Sequence, residues 1–223
     1  MASTSEREAP FLVGKTWDGG FTLADPTFIE AYAAATNDNS SLYYGPGAVA
    51  PPMFHVRCMR DLLFAVMQDP ELDLDFLRLL HGEHDATFHR PIRSWEVVNL
   101  RGRLEQVEQK AKGLLVVARM YGFASGELVV EARSSFFIRG QIVSDVGRGR
   151  VERPTVDMPA GPPAATLPWR VDDDQSHRYA AASLDDNPLH TDPETARSAG
   201  LPNVILHGLC TMARAGQSIV RAY

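Results

Sequence analysis

The sequence predicts an α+β fold in which helices precede a long run of antiparallel strands. Helical spacing of apolar residues over about 53–67 gives way to three successive strand signals between residues 98 and 138. An internal repeat relates the first part of the chain to its end. The chain has 223 residues, of which 44% are hydrophobic and 22% charged, so it is large enough to bury a substantial core.

The elements follow in order along the chain. A first helix is predicted around Pro26–Ala35, before a turn rich in Asn and Ser, and a second, more apolar helix over about Met53–Met67. Three strand signals come next, at Val98–Leu104, Leu114–Phe123 and Leu128–Ile138, the last two separated by a turn at Ser125-Gly126. This order indicates one helix packed on a curved antiparallel sheet.

Two sequence blocks occur twice in the same order. Residues 32–43 read YAAATNDNSSLY and residues 179–190 read YAAASLDDNPLH, which align at a constant offset of 147. A second block, His55–Cys58 (HVRC), parallels His207–Cys210 (HGLC) at an offset of 152. We interpret the chain as a duplicated domain, with a first copy over 1–150 and a second over 169–223.

The segment between the copies, 151–168, is rich in proline and is predicted to be a surface linker. The polar residues 1–10 are predicted to be a frayed tail. By the offset of 152, Tyr223 corresponds to Glu71, so the second copy contains its central helix but not the strands that follow. We therefore expect a truncated form, or a second sheet supplied by another polypeptide.

Composition and charge exclude several classes of protein. Lys+Arg 22 against Asp+Glu 28 gives a net charge of −6, which argues against binding to duplex nucleic acid. No window approaches the roughly 20 apolar residues of a membrane span. The two cysteines, Cys58 and Cys210, lack Cys-x-x-Cys spacing, which indicates a reduced, cytoplasmic location. No metal is expected, because structural zinc needs four convergent ligands.

One segment, Asp185-Asp186-Asn187-Pro188-Leu189-His190, carries candidate chemistry. Pro188 disfavours helical backbone at Asn187, so the preceding helix should end there and His190 should lie on a loop folded back towards Asp185. A carboxylate and an imidazole converging on one small space suit general acid–base work on water. The alternative is a helix-end carboxylate beside an unrelated surface histidine.

These residues resemble the motif of the MaoC-like, (R)-specific enoyl-CoA hydratases, also called hydratase 2. The resemblance is carried by 179–190, by Asp192-Pro193 and by 205–211, and extends loosely over 20–140. It implies a double hot-dog fold, in which a central helix is wrapped by an antiparallel sheet and the first half is degenerate. It also implies that such a chain assembles as a homodimer of double hot-dogs or is completed by another chain.

The resemblance implies a role for each motif residue. Asp185 and His190 would hold a water molecule and add it across the 2,3 double bond of a trans-2-enoyl thioester, giving an (R)-3-hydroxyacyl product. Asn187 would help to hold the water or the loop. The substrate would be a coenzyme A thioester, and no further cofactor is implied.

Gly208 is predicted to supply a backbone N–H at the start of the central helix, where unpaired donors and the helix dipole favour an oxyanion. A glycine needed for helix–sheet packing is an alternative, and both roles are compatible. His207, beside it, is interpreted as structural. The family's usual Gly before the catalytic Asp is Leu184 here, a departure expected to alter packing beneath the site.

The first copy departs from the motif. Asp38 matches Asp185, but Tyr43 stands at the position of His190 and Val56 at that of Gly208. This half is therefore expected to be inert, and the resemblance to double hot-dog proteins implies that it shapes the acyl pocket instead. Two other functions stay open: an acyl-CoA thioesterase on the same fold, and a non-catalytic subunit that binds acyl chains or completes a partner's sheet.

Overall fold

The computed structural model describes residues 12–75, 78–143, 161–162 and 166–222. Helices α1 to α6 are Pro26–Ala35, His55–Met67, Gln175–Ser183, Pro188–Thr191, Pro193–Ser198 and Gly208–Ala222. Strands β1 to β5 are Thr16–Leu23, Leu79–Phe88, Val97–Lys110, Gly113–Ala124 and Glu127–Arg139. In these ranges, no helix has the length and apolar character required to cross a membrane. The mixed α+β class predicted from the sequence is confirmed.

The chain divides into two compact units. Among the described residues, one contains 12–22, 61–75, 78–89 and 98–143, and the other contains 23–60, 90–97, 161–162 and 166–222. The second unit thus draws segments from both copies of the sequence repeat. Units defined by spatial contact do not test the boundaries of the duplication, which stay a prediction.

The first unit is built on a five-stranded sheet with the order β1-β3-β4-β5-β2. The pairs β3–β4, β4–β5 and β2–β5 are all antiparallel. Buried side chains alternate along β3 over most of its length, which gives the sheet one covered face. The three strand signals in the sequence are confirmed as the three central strands, each longer than predicted. The two edge strands were not predicted.

Two glycines let the sheet lie close to α2. A Cβ added at Gly19 would lie 3.0 Å from Leu62 Cδ2, and one at Gly102 would lie 3.1 Å from Leu62 Cδ1. Leu62 is almost completely buried. The predicted packing of the second helix on the sheet is therefore present, and it depends on the absence of side chains at these two strand positions.

The second unit contains the helices α1 and α3 to α6. The described part of the predicted linker, residues 161–162 and 166–168, forms neither helix nor strand. The rest of that linker, and the predicted frayed tail at 1–10, lie outside the described residues. Helices α1 and α3 are in contact through Tyr32 and Tyr179, which are both fully buried.

Candidate active site

Helix α3 ends at Ser183, and Asp185 follows two residues later. Leu184 between them adopts φ 65° and ψ 20°, the left-handed conformation in which many helices end. Its carbonyl accepts a hydrogen bond from Arg60 Nε at 3.1 Å, and the Ala182 carbonyl accepts one from Arg57 Nη1 at 2.7 Å. Two arginines of α2 therefore donate hydrogen bonds to free carbonyl groups at the end of α3, the helix end that is followed by Asp185.

The left-handed backbone explains why a glycine would suit position 184. A glycine adopts this conformation without steric cost, whereas a leucine does not. Leu184 is 40% exposed. The expected change in packing beneath the site stays a prediction, and the departure from the motif also changes the cost of the backbone conformation.

The segment after Asp185 is helical where the sequence predicted a loop. The Asn187 side chain accepts a hydrogen bond from the Leu189 N–H at 3.1 Å, and Pro188 occupies the first turn of α4. An Asn N-cap followed by Pro is a strong helix start, because the side chain satisfies a free N–H and the ring presets φ. His190 therefore lies on a one-turn helix, which corrects the prediction of a loop.

His190 has a defined tautomer. Its Nδ1 lies 2.7 Å from the carbonyl oxygen of Ile205, and a carbonyl only accepts, so Nδ1 carries the hydrogen. In the neutral imidazole, Nε2 then has the free lone pair. Because Nδ1 is committed to Ile205, Nε2 is the atom of this ring that can take up and release a proton.

A third residue, His207, contacts both members of the predicted pair. Its Nε2 lies 2.9 Å from the main-chain oxygen of Asp185, and its ring stacks on that of His190 with centroids 3.8 Å apart. His207 is almost fully buried, and burial together with the neighbouring His190 lowers its pKa below the ordinary value. The sequence signal for this residue was its position beside Gly208 in the repeated block.

Gly208 is the first residue of α6 and is exposed. A Cβ added there would meet no atom within 4 Å, and its φ is not in the left-handed region. Neither packing nor backbone conformation among the described residues requires a glycine, which gives the packing alternative no support. The space that a side chain would occupy at this residue, at the positive end of a 15-residue helix, is open.

In the first copy, Asp38 and Tyr43 occupy the positions that align with Asp185 and His190. Asp38 is buried, and Arg221 Nη2 lies 3.6 Å from its Oδ1. Tyr43 is also buried, and burial together with the charge of Asp38 raises its pKa to about 12. A buried phenol that stays protonated is a poor base, which favours the prediction that this half is inert.

Neither cysteine has the surroundings of a reactive thiol. Cys58 and Cys210 are buried and unpaired, and burial raises their pKa to about 12 and about 11. Across the residues that the structure describes, no group of three or more His, Cys, Asp or Glu side chains is arranged to hold a metal ion.

Two family profiles match this chain. Residues 155–223 match the profile described as "MaoC like domain", and residues 42–140 match "MFE-2 hydratase 2 N-terminal domain". The first contains the Asp185–Gly208 site, and the second contains most of the first copy of the repeat. The two matches come in the order expected from the resemblance found in the sequence.

Curated proteins similar to this chain include one from a bacterium and one from a plant. The 3-hydroxyacyl-thioester dehydratase Y of Mycobacterium tuberculosis is 35% identical over 148 residues, covering 64% of this chain and 50% of that protein. The peroxisomal enoyl-CoA hydratase 2 of Arabidopsis thaliana is 32% identical over 162 residues, covering 68% of this chain and 52% of that protein. In both alignments, the chain spans about half the length of the curated relative.

The fold is also that of a solved structure. The crystal structure of HtdX of Mycobacterium tuberculosis has a TM-score of 0.70 and 26% sequence identity, and the match covers 94% of this chain and 78% of that one. Together with the five-stranded antiparallel sheet, this likeness confirms the predicted hot-dog fold.

Proposed function

The chain belongs to the MaoC-like hydratase 2 family, and we propose that it serves the reversible syn hydration of trans-2-enoyl-CoA to (R)-3-hydroxyacyl-CoA. The observation that carries the proposal is the common contact of Asp185 and His190 with one buried imidazole, which directly precedes Gly208, the exposed first residue of α6. The names of the relatives, enoyl-CoA hydratase and 3-hydroxyacyl-thioester dehydratase, support the reaction class.

The proposed step adds one water molecule. The Asp185 carboxylate takes a proton from water as the oxygen bonds to C3, and the C2–C3 π electrons move onto the thioester oxygen. The Gly208 N–H stabilises that enolate oxygen, because helix N-terminal donors favour negative charge. The proton that Asp185 took from water passes to His190 Nε2 and from there to C2 as the enolate returns its electron pair to that carbon, so both side chains end in their starting state. Both additions come from one face, which makes the hydration syn, and the (R) product requires that the site present the matching face of the double bond to the water.

The remaining motif residues support this arrangement. Asn187 holds the segment between the two reacting side chains by capping α4. The reaction draws only on carboxylate, imidazole and backbone N–H, so the proposal includes no cofactor beyond the coenzyme A of the substrate. Its assembly, as a homodimer of double hot-dogs or with a second chain that completes the sheet, is part of the same proposal.

The proposal is tested by measuring the hydration of crotonyl-CoA as a loss of enoyl absorbance. Wild type, His190→Ala and Asp185→Asn are compared, with His89→Ala as a control because that histidine is partly exposed in the other unit. Each site variant is expected to lose about 10²-fold or more of the turnover, as is usual when a general acid or base is removed.

Two results would contradict the proposal. Unchanged turnover in His190→Ala would remove the imidazole from the mechanism. A wild type that hydrates neither crotonyl-CoA nor a longer enoyl-CoA would favour a subunit that only binds acyl chains. Release of free thiol from acyl-CoA without hydration would instead identify a thioesterase.

A further inference from the structure

We propose that His207 is a positioning residue, which fixes the main chain at Asp185 and the ring plane of His190 at the same time. This inference rests on the proposed hydration and adds to it a residue that does not itself touch the substrate. It begins from an imidazole that is almost fully buried yet contacts both members of the reacting pair.

The first contact fixes the backbone. A carbonyl oxygen only accepts, so His207 Nε2 carries the hydrogen and donates it to the Asp185 carbonyl at 2.9 Å. Asp185 follows a residue in the left-handed conformation, where the chain leaves α3. A hydrogen bond at this point holds the direction in which the chain presents the Asp185 side chain.

The second contact fixes the ring of His190. Stacking on His207, with 25° between the ring planes, constrains the face of the His190 imidazole. The hydrogen bond from Nδ1 to Ile205 constrains the same ring within its plane. The two constraints together set the direction of the Nε2 lone pair, which the proposed proton relay requires.

His207 is suited to this place because it stays neutral. Its Nδ1 is buried and has no hydrogen-bond partner among the described residues, so a proton there would find no acceptor. The titratable side chains that face the ring are His190, Asp185 and Tyr179, and burial and His190 lower its pKa. A neutral neighbour lets His190 gain a proton without repulsion between two imidazolium rings.

The ring is supported from behind by a buried aromatic pair. The Tyr179 ring lies 4.9 Å from that of His207, centroid to centroid. The Tyr179 hydroxyl is in turn 2.9 Å from the Tyr32 hydroxyl. His207 therefore rests on a hydrogen-bonded element of the core, and its orientation is transmitted to the two reacting groups.

The chain contains its own control, His55. This residue aligns with His207 in the repeat and is equally buried, with Nδ1 donating to the Pro52 carbonyl at 2.9 Å. Burial lowers its pKa to about 4. In the first copy, the positions that align with Asp185 and His190 carry Asp38 and Tyr43. Changes at His55 test what a buried structural histidine contributes without positioning.

The experiment uses variants that each keep one property of the histidine. His207→Gln keeps a donor near Nε2 and loses the ring, whereas His207→Phe keeps the ring and loses the donor. His55→Asn and His55→Phe are the matched pair, because an Asn amide mimics Nδ1. We expect about 10–100-fold lower kcat for both His207 variants with KM changed by less than about 3-fold. The His55 variants should lower the unfolding midpoint and leave kcat unchanged.

A double-mutant comparison asks whether His207 acts through His190. In the His190→Ala background, His207→Gln should lower kcat by less than about 3-fold, because the ring that His207 orients is gone and the glutamine keeps a donor for the Asp185 carbonyl. Full additivity would overturn the proposal. It would also be overturned by kcat within about 2-fold of wild type in both His207 variants, or by equal losses in the His55 variants.

A spectroscopic readout separates this proposal from the proposed function. Nitrogen NMR of the His190 ring should show a single Nδ1–H tautomer in the wild type. In His207→Gln a mixture is expected, because a ring without its stacking partner can turn out of the hydrogen bond to the Ile205 carbonyl, and this holds whether or not the protein hydrates crotonyl-CoA. A wild type without turnover, but with this tautomer shift, would contradict the hydration and support positioning. An unchanged His190 ring in His207→Gln would overturn positioning, whatever the turnover.

Discussion

The phenolic oxygens of Tyr32 and Tyr179 lie 2.9 Å apart in a fully buried contact, and the two residues are separated by the 147-residue offset of the repeat. Their rings meet edge to face at 5.6 Å between centroids. Burial raises the pKa of both hydroxyls, so both stay protonated and one donates to the other. Equivalent positions of the two copies therefore meet at one hydrogen bond between α1 and α3.

This contact predicts non-additive stability. Tyr32→Phe and Tyr179→Phe should each lower the free energy of unfolding by about 1–2 kcal/mol, because each leaves the other hydroxyl buried without its partner. The double variant should cost less than the sum, since both polar groups are then absent. Urea denaturation at pH 7 gives the free energy of unfolding of the wild type, the two single variants and the double variant. Additive losses would show that the two hydroxyls do not depend on each other.

The left-handed conformation of Leu184 predicts a stabilising substitution. Leu184→Gly should raise the free energy of unfolding by about 1 kcal/mol, because glycine adopts this backbone without steric cost. Leu184→Ala is the control, since alanine loses the exposed side chain but retains the Cβ. Equal effects of the two substitutions in urea denaturation would trace the gain to the side chain and not to the backbone.

A side chain at position 208 is expected to lower the activity of the protein without lowering its stability. Gly208→Val should fold normally, because a Cβ there meets no atom within 4 Å and Val56 occupies the aligned position in α2. Its turnover of crotonyl-CoA should fall by about 10²-fold or more, because the side chain keeps the thioester oxygen from the N–H. Gly216→Ala, within the same helix, is the control and should retain activity. A valine variant with wild-type turnover would contradict the oxyanion role.

Because His55 and His207 are buried, the protein is expected to lose stability in mild acid. His55 has a pKa of about 4 in the folded protein, and the pKa of His207 is lowered as well. Below about pH 6.5 the unfolded chain binds protons that the folded protein excludes, so the free energy of unfolding falls as pH falls. For His55 alone the loss between pH 7.5 and 5.5 should be about 1 kcal/mol.

His55→Asn tests this pH dependence. The amide keeps a donor for the Pro52 carbonyl but does not titrate, so the variant should lose less stability than wild type between pH 7.5 and 5.5. Urea denaturation at both pH values measures the difference. Equal losses in the two proteins would show that His55 does not contribute to the acid response.

The local pattern of apolar residues was sufficient to predict the first two helices and the three central strands of the sheet. Helices α1 and α2 and strands β3 to β5 were predicted because apolar residues recur along them with clear helical or strand periodicity. The edge strands β1 and β2 were missed. Each is interrupted by glycine and largely exposed, so neither has the alternation that a half-buried strand shows. The one-turn helix α4 was missed because its start depends on a cap at Asn187.

The sequence by itself determined the α+β class and the repeat pattern, because these depend on residue type and spacing. Its resemblance to a known motif implied the hot-dog fold and pointed to Asp185, Asn187, His190 and Gly208. Only the tertiary structure decided that His207 contacts both Asp185 and His190, although 22 and 17 residues separate it from them. It also decided the Nδ1–H tautomer of His190 and the left-handed backbone at Leu184. Such contacts arise when helices distant in sequence pack together, and local spacing carries no record of them.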